Sequence, residues 1–237
     1  IMALPKLNDV PKYSLTIPST NKQISYRPFL VKEQKILLMA LESQDEKQIL
    51  ESIVGTIDAC TFGQIDTSSL ALFDLEYIFL QLRTKSVGEG TVVNLKCQDE
   101  KCREDVPVQI DIESIIFDKM PNNRIKINEQ YTIELKYPNY KTSLELLGSE
   151  TTITDRVYKT ALGCLDNLLT EEEVIDFKEH SEKEKKEFVE SLTATQFENV
   201  IKFVNEIPSL KKNVEYTCQK CNKKHKVTLE GLNDFLF

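Results

Sequence analysis

Cysteines carry the most distinctive chemistry in this chain, and four of the six fall into two pairs. Cys97 and Cys102 form a Cys-x4-Cys spacing, and Cys218 and Cys221 form Cys-x2-Cys. Both pairs sit in the same kind of frame. Val93-Asn94-Leu95-Lys96 precedes the first and Val106-Pro107-Val108-Gln109-Ile110 follows it. Val214-Glu215-Tyr216-Thr217 precedes the second and Val227-Thr228-Leu229 follows it. Each flank alternates apolar and polar residues, the period of a half-buried strand. Each half therefore reads as strand, two-cysteine knuckle, strand. Two such halves offer four thiolates to one Zn2+ at tetrahedral geometry, the arrangement of a zinc ribbon. Residues 103–217 separate the two pairs, so a shared metal would tie the middle of the chain to its end.

The expected ligands are Cys97, Cys102, Cys218 and Cys221, holding one zinc per chain. Four thiolates close the coordination shell, whereas a catalytic zinc keeps a position for water or substrate, so this metal is expected to be structural. His225 offers a variant in which it replaces a cysteine in a Cys-x3-His second half. No His-Glu-x-x-His helix, phosphate-binding glycine loop or Gly-x-Ser-x-Gly elbow occurs. The two histidines lack a neighbouring nucleophile with an orienting third group. No enzymatic activity and no small-molecule substrate are therefore expected. Asp74 and Glu76 are not a paired-carboxylate site, since positions two apart on a helix do not face each other. They read as carboxylates paired with Arg83 or Lys85, or left at the solvent edge. Cys60 and Cys164 lie in apolar stretches and read as buried core thiols.

Lys211, Lys212, Lys220, Lys223, Lys224 and Lys226 cluster around the second knuckle, near Tyr216 and His225. They support one alternative, a zinc-ribbon nucleic-acid-binding or transcription accessory factor. The formal charge of −8 opposes it, and lysines beside a zinc with four thiolates also have a compensating role. A hydrolase with a cysteine-ligated zinc would need an open coordination position, which this ligand set does not leave. Knuckle spacing and cysteine number fit metal in a reducing compartment better than disulfides. No apolar run reaches the roughly 20 residues of a membrane span, and no signal-peptide pattern is present.

The elements that must position these residues can be read in order. Residues 13–29 form a hairpin turning at Pro18-Ser19-Thr20-Asn21. A helix follows Pro28 with a stripe of Leu30, Leu37, Leu38 and Leu41. Ser43-x-x-Glu46 matches a capping box and starts the next helix, whose face is Ile49, Ile53, Ile57 and Cys60. Residues 70–82 are apolar nearly all round, which marks a helix central in a core or covered by a partner. Gly88-Glu89-Gly90 ends it. Residues 111–117 continue the first ribbon strand and turn away. Pro121-Asn122-Asn123 is a turn, and alternation from Ile125 to Tyr137 adds a strand pair expected to join the ribbon. From 142 to 206 the period is helical, with Val157, Ala161, Leu162 and Leu165 on one face. Capping patterns recur at Thr170, Ser181 and Thr193, and Phe197, Val200, Ile201 and Val204 line the last helix. Twelve of the seventeen residues from 171 to 187 are charged, which reads as a solvated surface of short helices.

Together these give an α+β fold with an N-terminal hairpin and helices, a β-rich split zinc ribbon, and a helical block inserted between the two knuckles. The expected divisions are 1–90, the ribbon at 91–140 with 207–237, and 141–206.

Three stretches resemble a known family. They are SLTIPSTNKQISYRPFLVKEQKILLMALES at 14–43, FDLEYIFLQLRTKSVGEGTVVNLKC at 73–97, and CQKCNKKHKVTLEGLNDFLF at 218–237. All three are similar to the T4-type bacteriophage baseplate protein family, which includes a baseplate hub subunit or assembly protein and a hub assembly catalyst. The resemblance implies a protein made in the host cytoplasm and used in building the tail baseplate hub. It implies other baseplate hub proteins as partners and no enzyme active site. Tyr77, Phe79, Phe235 and Phe237 are the aromatic candidates for an interaction surface.

Overall fold

The computed structural model describes residues 10–88, 90–112, 116–117, 120–142 and 152–236. It opens on the expected hairpin, β1 (Tyr13–Thr16) with β2 (Gln23–Tyr26). Asn21 closes its turn with positive φ, a conformation that a short polar side chain tolerates. Leu15, Ile24 and Tyr26 turn inward and are buried.

Helix α1 (Val31–Ser43) follows Pro28, but its leucine stripe is not its buried face. Leu30 and Leu38 are exposed, and Glu33 and Ala40 are buried instead. Glu33 is held by Arg27, Nη2 to Oε1 at 2.9 Å, and accepts the Leu30 N–H at 2.8 Å. Arg27 and the helix amide hold its carboxyl below the usual range against the opposing effect of burial. A buried charge with such partners can turn a helix against the pattern of its leucines. The outward face shows Val31, Ile36, Leu38 and Met39, each more than half exposed.

Helix α2 (Glu46–Cys60) buries Ile53, Ile57 and Cys60 as expected. Its N-cap is Asp45 rather than Ser43, because Asp45 accepts the Lys47 and Gln48 amides. Ser43 belongs to the end of α1, donating to the Ala40 carbonyl at 2.6 Å. Helix α3 (Leu72–Val87) resolves the all-apolar stretch as core. Leu75, Ile78 and Leu82 are fully buried, and Phe79 nearly so.

Two hairpins then carry the knuckles. Strand β3 (Gly90–Lys96) pairs antiparallel with β4 (Asp105–Asp111). Near the end of the chain, β10 (Leu210–Thr217) pairs with β11 (Lys224–Glu230) and also with the short β5 (Ile116–Phe117). Glu113, Ser114 and Ile115, expected to continue the first ribbon strand, lie outside the described residues, as does Glu89. A final turn, α7 (Asn233–Leu236), places Phe235 fully inside.

The intervening chain differs from expectation. Strands β6 (Arg124–Lys126) and β7 (Thr132–Leu135) form, but they do not join the ribbon. They continue into β8 (Leu165–Leu169) and β9 (Val174–Asp176), giving a four-stranded antiparallel sheet in the order β6-β7-β8-β9. Residues 142–206 are thus not purely helical. Helix α4 (Ile153–Cys164) stops where Leu165 leaves the helical region at ψ 126°, and the chain turns directly into β8. Thr170 caps no helix. Its Oγ1 accepts the Glu172 and Glu173 amides and donates to the Glu173 carbonyl, closing the β8–β9 turn. Hydroxyl-to-backbone bonds of this kind serve turns as well as caps, which is why the pattern misreads. Ser181 and Thr193 do start helices, α5 (Glu182–Glu190) and α6 (Ala194–Asn205), each with both halves of a capping box. This sheet and its helices share a core of Ile133, Leu135, Ala161, Cys164, Val200 and Phe203.

The chain divides into two compact units, one of Ile1–Thr67, Phe73–Phe117 and Ser209–Phe237, the other of Ser68–Leu72 and Asp118–Pro208. Mixed helix and strand in small antiparallel sheets make the fold α+β. Among the described residues, no helix is long and apolar enough to cross a membrane.

Candidate metal centre

The two knuckles are built alike. In the first, the Cys97 N–H donates to the Glu104 carbonyl at 2.8 Å; in the second, the Cys218 N–H donates to the Lys223 carbonyl at 3.0 Å. The residue after each second cysteine, Arg103 or Asn222, has positive φ and donates its amide four residues back. Each loop is thereby wrapped so that its two sulfurs turn to the same side. The hairpins meet at this end, where the Tyr216 hydroxyl donates to the Lys96 carbonyl at 2.6 Å.

The structure brings the four expected residues together. The sulfurs of Cys97, Cys102, Cys218 and Cys221 all lie within 4.8 Å of one another. Cys97 Sγ is 3.6 Å from Cys221 Sγ, and Cys102 Sγ is 3.8 Å from Cys218 Sγ. A zinc with Zn–S bonds of about 2.3 Å at tetrahedral angles needs sulfurs about 3.8 Å apart. Donor type, number and separation therefore suit that ion. Cys97 and Cys218 are buried, with Val106 and Tyr216 around them. As free thiols the two buried cysteines are unequal. Burial pushes Cys97 up to about 12. The backbone N–H groups of Cys221 and Lys220 draw Cys218 down to about 7.

His225 stands outside the four-sulfur cluster but touches it, with Nε2 at 3.1 Å from Cys97 Sγ. It faces Tyr216 across the β10–β11 ladder, ring centroids 5.3 Å apart.

Lys211, Lys220, Lys223 and Lys226 of this cluster are ion-paired. Lys220 meets Glu104 at 2.5 Å, and Lys223 meets Asp99; both pairs join one knuckle to the other. Lys211 pairs with Glu230 and Lys226 with Glu215, each across the β10–β11 ribbon. Each of these carboxylates offsets the charge of its lysine.

Several other candidates fall in the core. Cys60 and Cys164 are fully buried, and burial raises their thiols to about 11 and about 12. Asp74 is fully buried and accepts the Ser19 amide at 3.0 Å and hydroxyl at 2.5 Å. Ser19, on the N-terminal turn, was not legible as its partner because the two are 55 residues apart. Glu76 accepts the Leu232 amide at 3.2 Å. Phe79 and Phe235 are buried, so their work is packing. Tyr77 is half-buried, and Phe237 lies outside the described residues. Among the described residues, α1 exposes four large apolar side chains, Val31, Ile36, Leu38 and Met39, while Phe62, Val87, Val92 and Val174 are exposed singly elsewhere.

A protein-family model described as T4 bacteriophage base plate protein matches residues 10–237. No curated protein and no solved structure matches the chain.

Proposed function

This chain belongs to the T4 bacteriophage base plate protein family, and on that premise we propose that it is a non-enzymatic protein of the tail baseplate hub, a hub subunit or hub assembly factor. It acts by binding other hub proteins, in the host cytoplasm while the baseplate is built. The observation that carries this reading is the extent of the family match, which runs through both knuckles and the block between them. The outward face of α1 supports it. Val31, Ile36, Leu38 and Met39 expose large apolar side chains on one helix, the kind of surface that marks a protein–protein contact.

Zinc is the structural partner in this proposal. Cys97, Cys102, Cys218 and Cys221 would hold it, with His225 donating to the Cys97 sulfur and the Lys220–Glu104 and Lys223–Asp99 pairs bracing the knuckles from outside. A closed four-thiolate shell supplies folding free energy and no reaction site. It fixes the second hairpin on the first, and so presents a rigid surface that loses little entropy on binding.

Deleting the gene and examining the phage particles tests the function. Arrest before a complete hub is expected; normal infectious tails would overturn the assembly role. Elemental analysis of the purified protein tests the metal, with one zinc per chain expected.

A further inference from the structure

Strands β3 and β11 are both sheet edges among the described residues. β3 pairs only with β4, and β11 only with β10. Between them runs a groove of about 640 Å³. Three consecutive residues of each strand line it, Val93-Asn94-Leu95 on one side and Val227-Thr228-Leu229 on the other. Side chains of a strand alternate between faces, so consecutive residues share a groove only when it runs along the strand's edge.

The direction of the backbone groups follows from the ladders. In an antiparallel pair, hydrogen-bonded and non-bonded positions alternate. The Cys97–Glu104 bond sets the phase of the first hairpin. Asn94, opposite Pro107, is then non-bonded, and its N–H and C=O point away from β4. Pro107 has no N–H to give, which fits. Lys96 shares this phase, and its outward carbonyl takes the Tyr216 hydroxyl. The Cys218–Lys223 bond sets the phase of the second hairpin. Thr228, opposite Asn213, is non-bonded and points away from β10. Glu230 shares its phase, and its outward N–H is taken by Asp234 at 2.8 Å. Both ends of the gap are thus closed by local partners, while the Asn94 and Thr228 groups between them face the groove.

We propose that this groove receives an extended segment of another baseplate protein as an added β-strand, bonded to Asn94 on one side and Thr228 on the other. Successive residues of a strand direct their amides to opposite sides, so one short segment can satisfy both edges. Its alternate side chains would be apolar where they meet Leu41 and Ile49 and polar where they meet Gln44 and Asp234, which complete the lining. Main-chain bonds then give affinity and the lining gives selectivity. The inference rests on the reading that the chain works by binding other baseplate proteins.

The test uses the full zinc-loaded chain, with each other baseplate protein of the same phage co-expressed in turn as the probe. Thr228→Pro and Asn94→Pro each remove one outward N–H and leave the existing ladder bonds in place; edge strands tolerate proline there. Leu41→Lys puts a charge in the lining without touching either strand. Zinc content and circular dichroism identify the variants that fold. A partner that binds the wild type should lose affinity by roughly tenfold or more to each folded variant. In the complex, amide exchange should slow at Asn94 and Thr228. Equal binding to every folded variant, or protection confined to α1, would overturn the groove while leaving the hub reading intact. No binding by any baseplate protein would overturn both. A dimer of the chain alone that these variants dissolve would assign the groove to a second copy. Protection in the free chain that disappears on deleting residues 1–9 would assign it to the chain itself. Either result would overturn the proposal of a different protein.

Discussion

The knuckle end of the ribbons and the sheet of β6 to β9 are closed by different means. The sheet has helices α4 and α6 over a continuous apolar cluster in which Ile133, Ala161 and Cys164 are fully buried. Burial of this cluster stabilises it by roughly 25 cal/mol per Å² of apolar surface. Among the described residues, the knuckle end buries Cys97, Val106, Tyr216 and Cys218, two of them metal-ligand types, with Leu95, Val108 and Val227 partly buried against them. It is a smaller cluster than the sheet's, and the other buried residues of the two hairpins, Val93, Ile110, Val214 and Leu229, lie farther from the knuckles along the strands. With zinc bound as proposed, the difference teaches where each region's folding free energy resides, in contact area for one and in a shared ion for the other.

The largest effect should come from removing that ion. Chelation, or Cys218→Ser, should release exchange protection from β3, β4, β10 and β11 and leave β7, β8 and α6 protected. Structural zinc contributes on the order of 10 kcal/mol in small zinc domains, so the loss should be near complete. Hydrogen exchange read by mass spectrometry checks it; equal loss in both regions would erase the comparison. The reverse perturbation is Phe203→Ala, which empties a buried site stacked on Tyr137 at 5.6 Å. About 3–5 kcal/mol of destabilisation is expected, with zinc content unchanged. A denaturant titration with parallel metal analysis measures both.

How much was legible follows the same division. The knuckle residues could be found because ligand chemistry fixes residue type and spacing locally, and the alternation on either side fixes the strands. Their neighbours were harder. His225 reads in the sequence as a possible ligand in place of a cysteine, but its place beside Cys97 depends on the register of β10 against β11. The Glu104 and Asp99 partners of the lysines depend on which knuckle faces which. In the sheet region, Leu165 continued an apolar helical face, and Thr170 matched a cap. Both are local signals that several conformations share, and pairing with β7 decided between them. On α1 the leucines suggested the wrong face because one buried pair, Arg27 with Glu33, outweighed them. The resemblance to baseplate proteins rested on long stretches rather than on chemistry, and the family match extends across nearly the whole chain.

A smaller effect separates pH from metal. Burial, with repulsion from Glu230, pushes the Glu76 carboxyl up to about 7 from its ordinary 4.5, against the stabilising Leu232 amide. The folded state then binds more protons than the unfolded state between those values. Stability should therefore be full below about pH 4.5 and decline as pH rises through 7. The change should be about 1–3 kcal/mol over that interval. Glu76→Gln should flatten the slope. Thermal melts at fixed zinc across pH 5–8 check it, and an unchanged slope in the variant would show that another group is responsible.

The smallest effect should come from the ion pairs that brace the knuckles. Lys220 and Lys223 reach across to Glu104 and Asp99, but both lysines are mostly exposed, so solvent and salt screen the attraction. Exposed pairs contribute about 0–1 kcal/mol each. If zinc carries the knuckle end, Lys220→Ala and Lys223→Ala should each change stability only slightly, as solvent-exposed pairs do. Raising the salt should shrink the difference further. The double variant should keep its zinc, because the wrapping of each loop depends on backbone bonds at Cys97 and Cys218. A chelator competition comparing zinc affinity of the double variant with that of the wild type reads this directly. A large loss of affinity in low salt, recovered by neither lysine alone, would mean that the pairs and the metal hold the knuckles jointly. The contrast with the sheet would then be one of charge as well as of coordination.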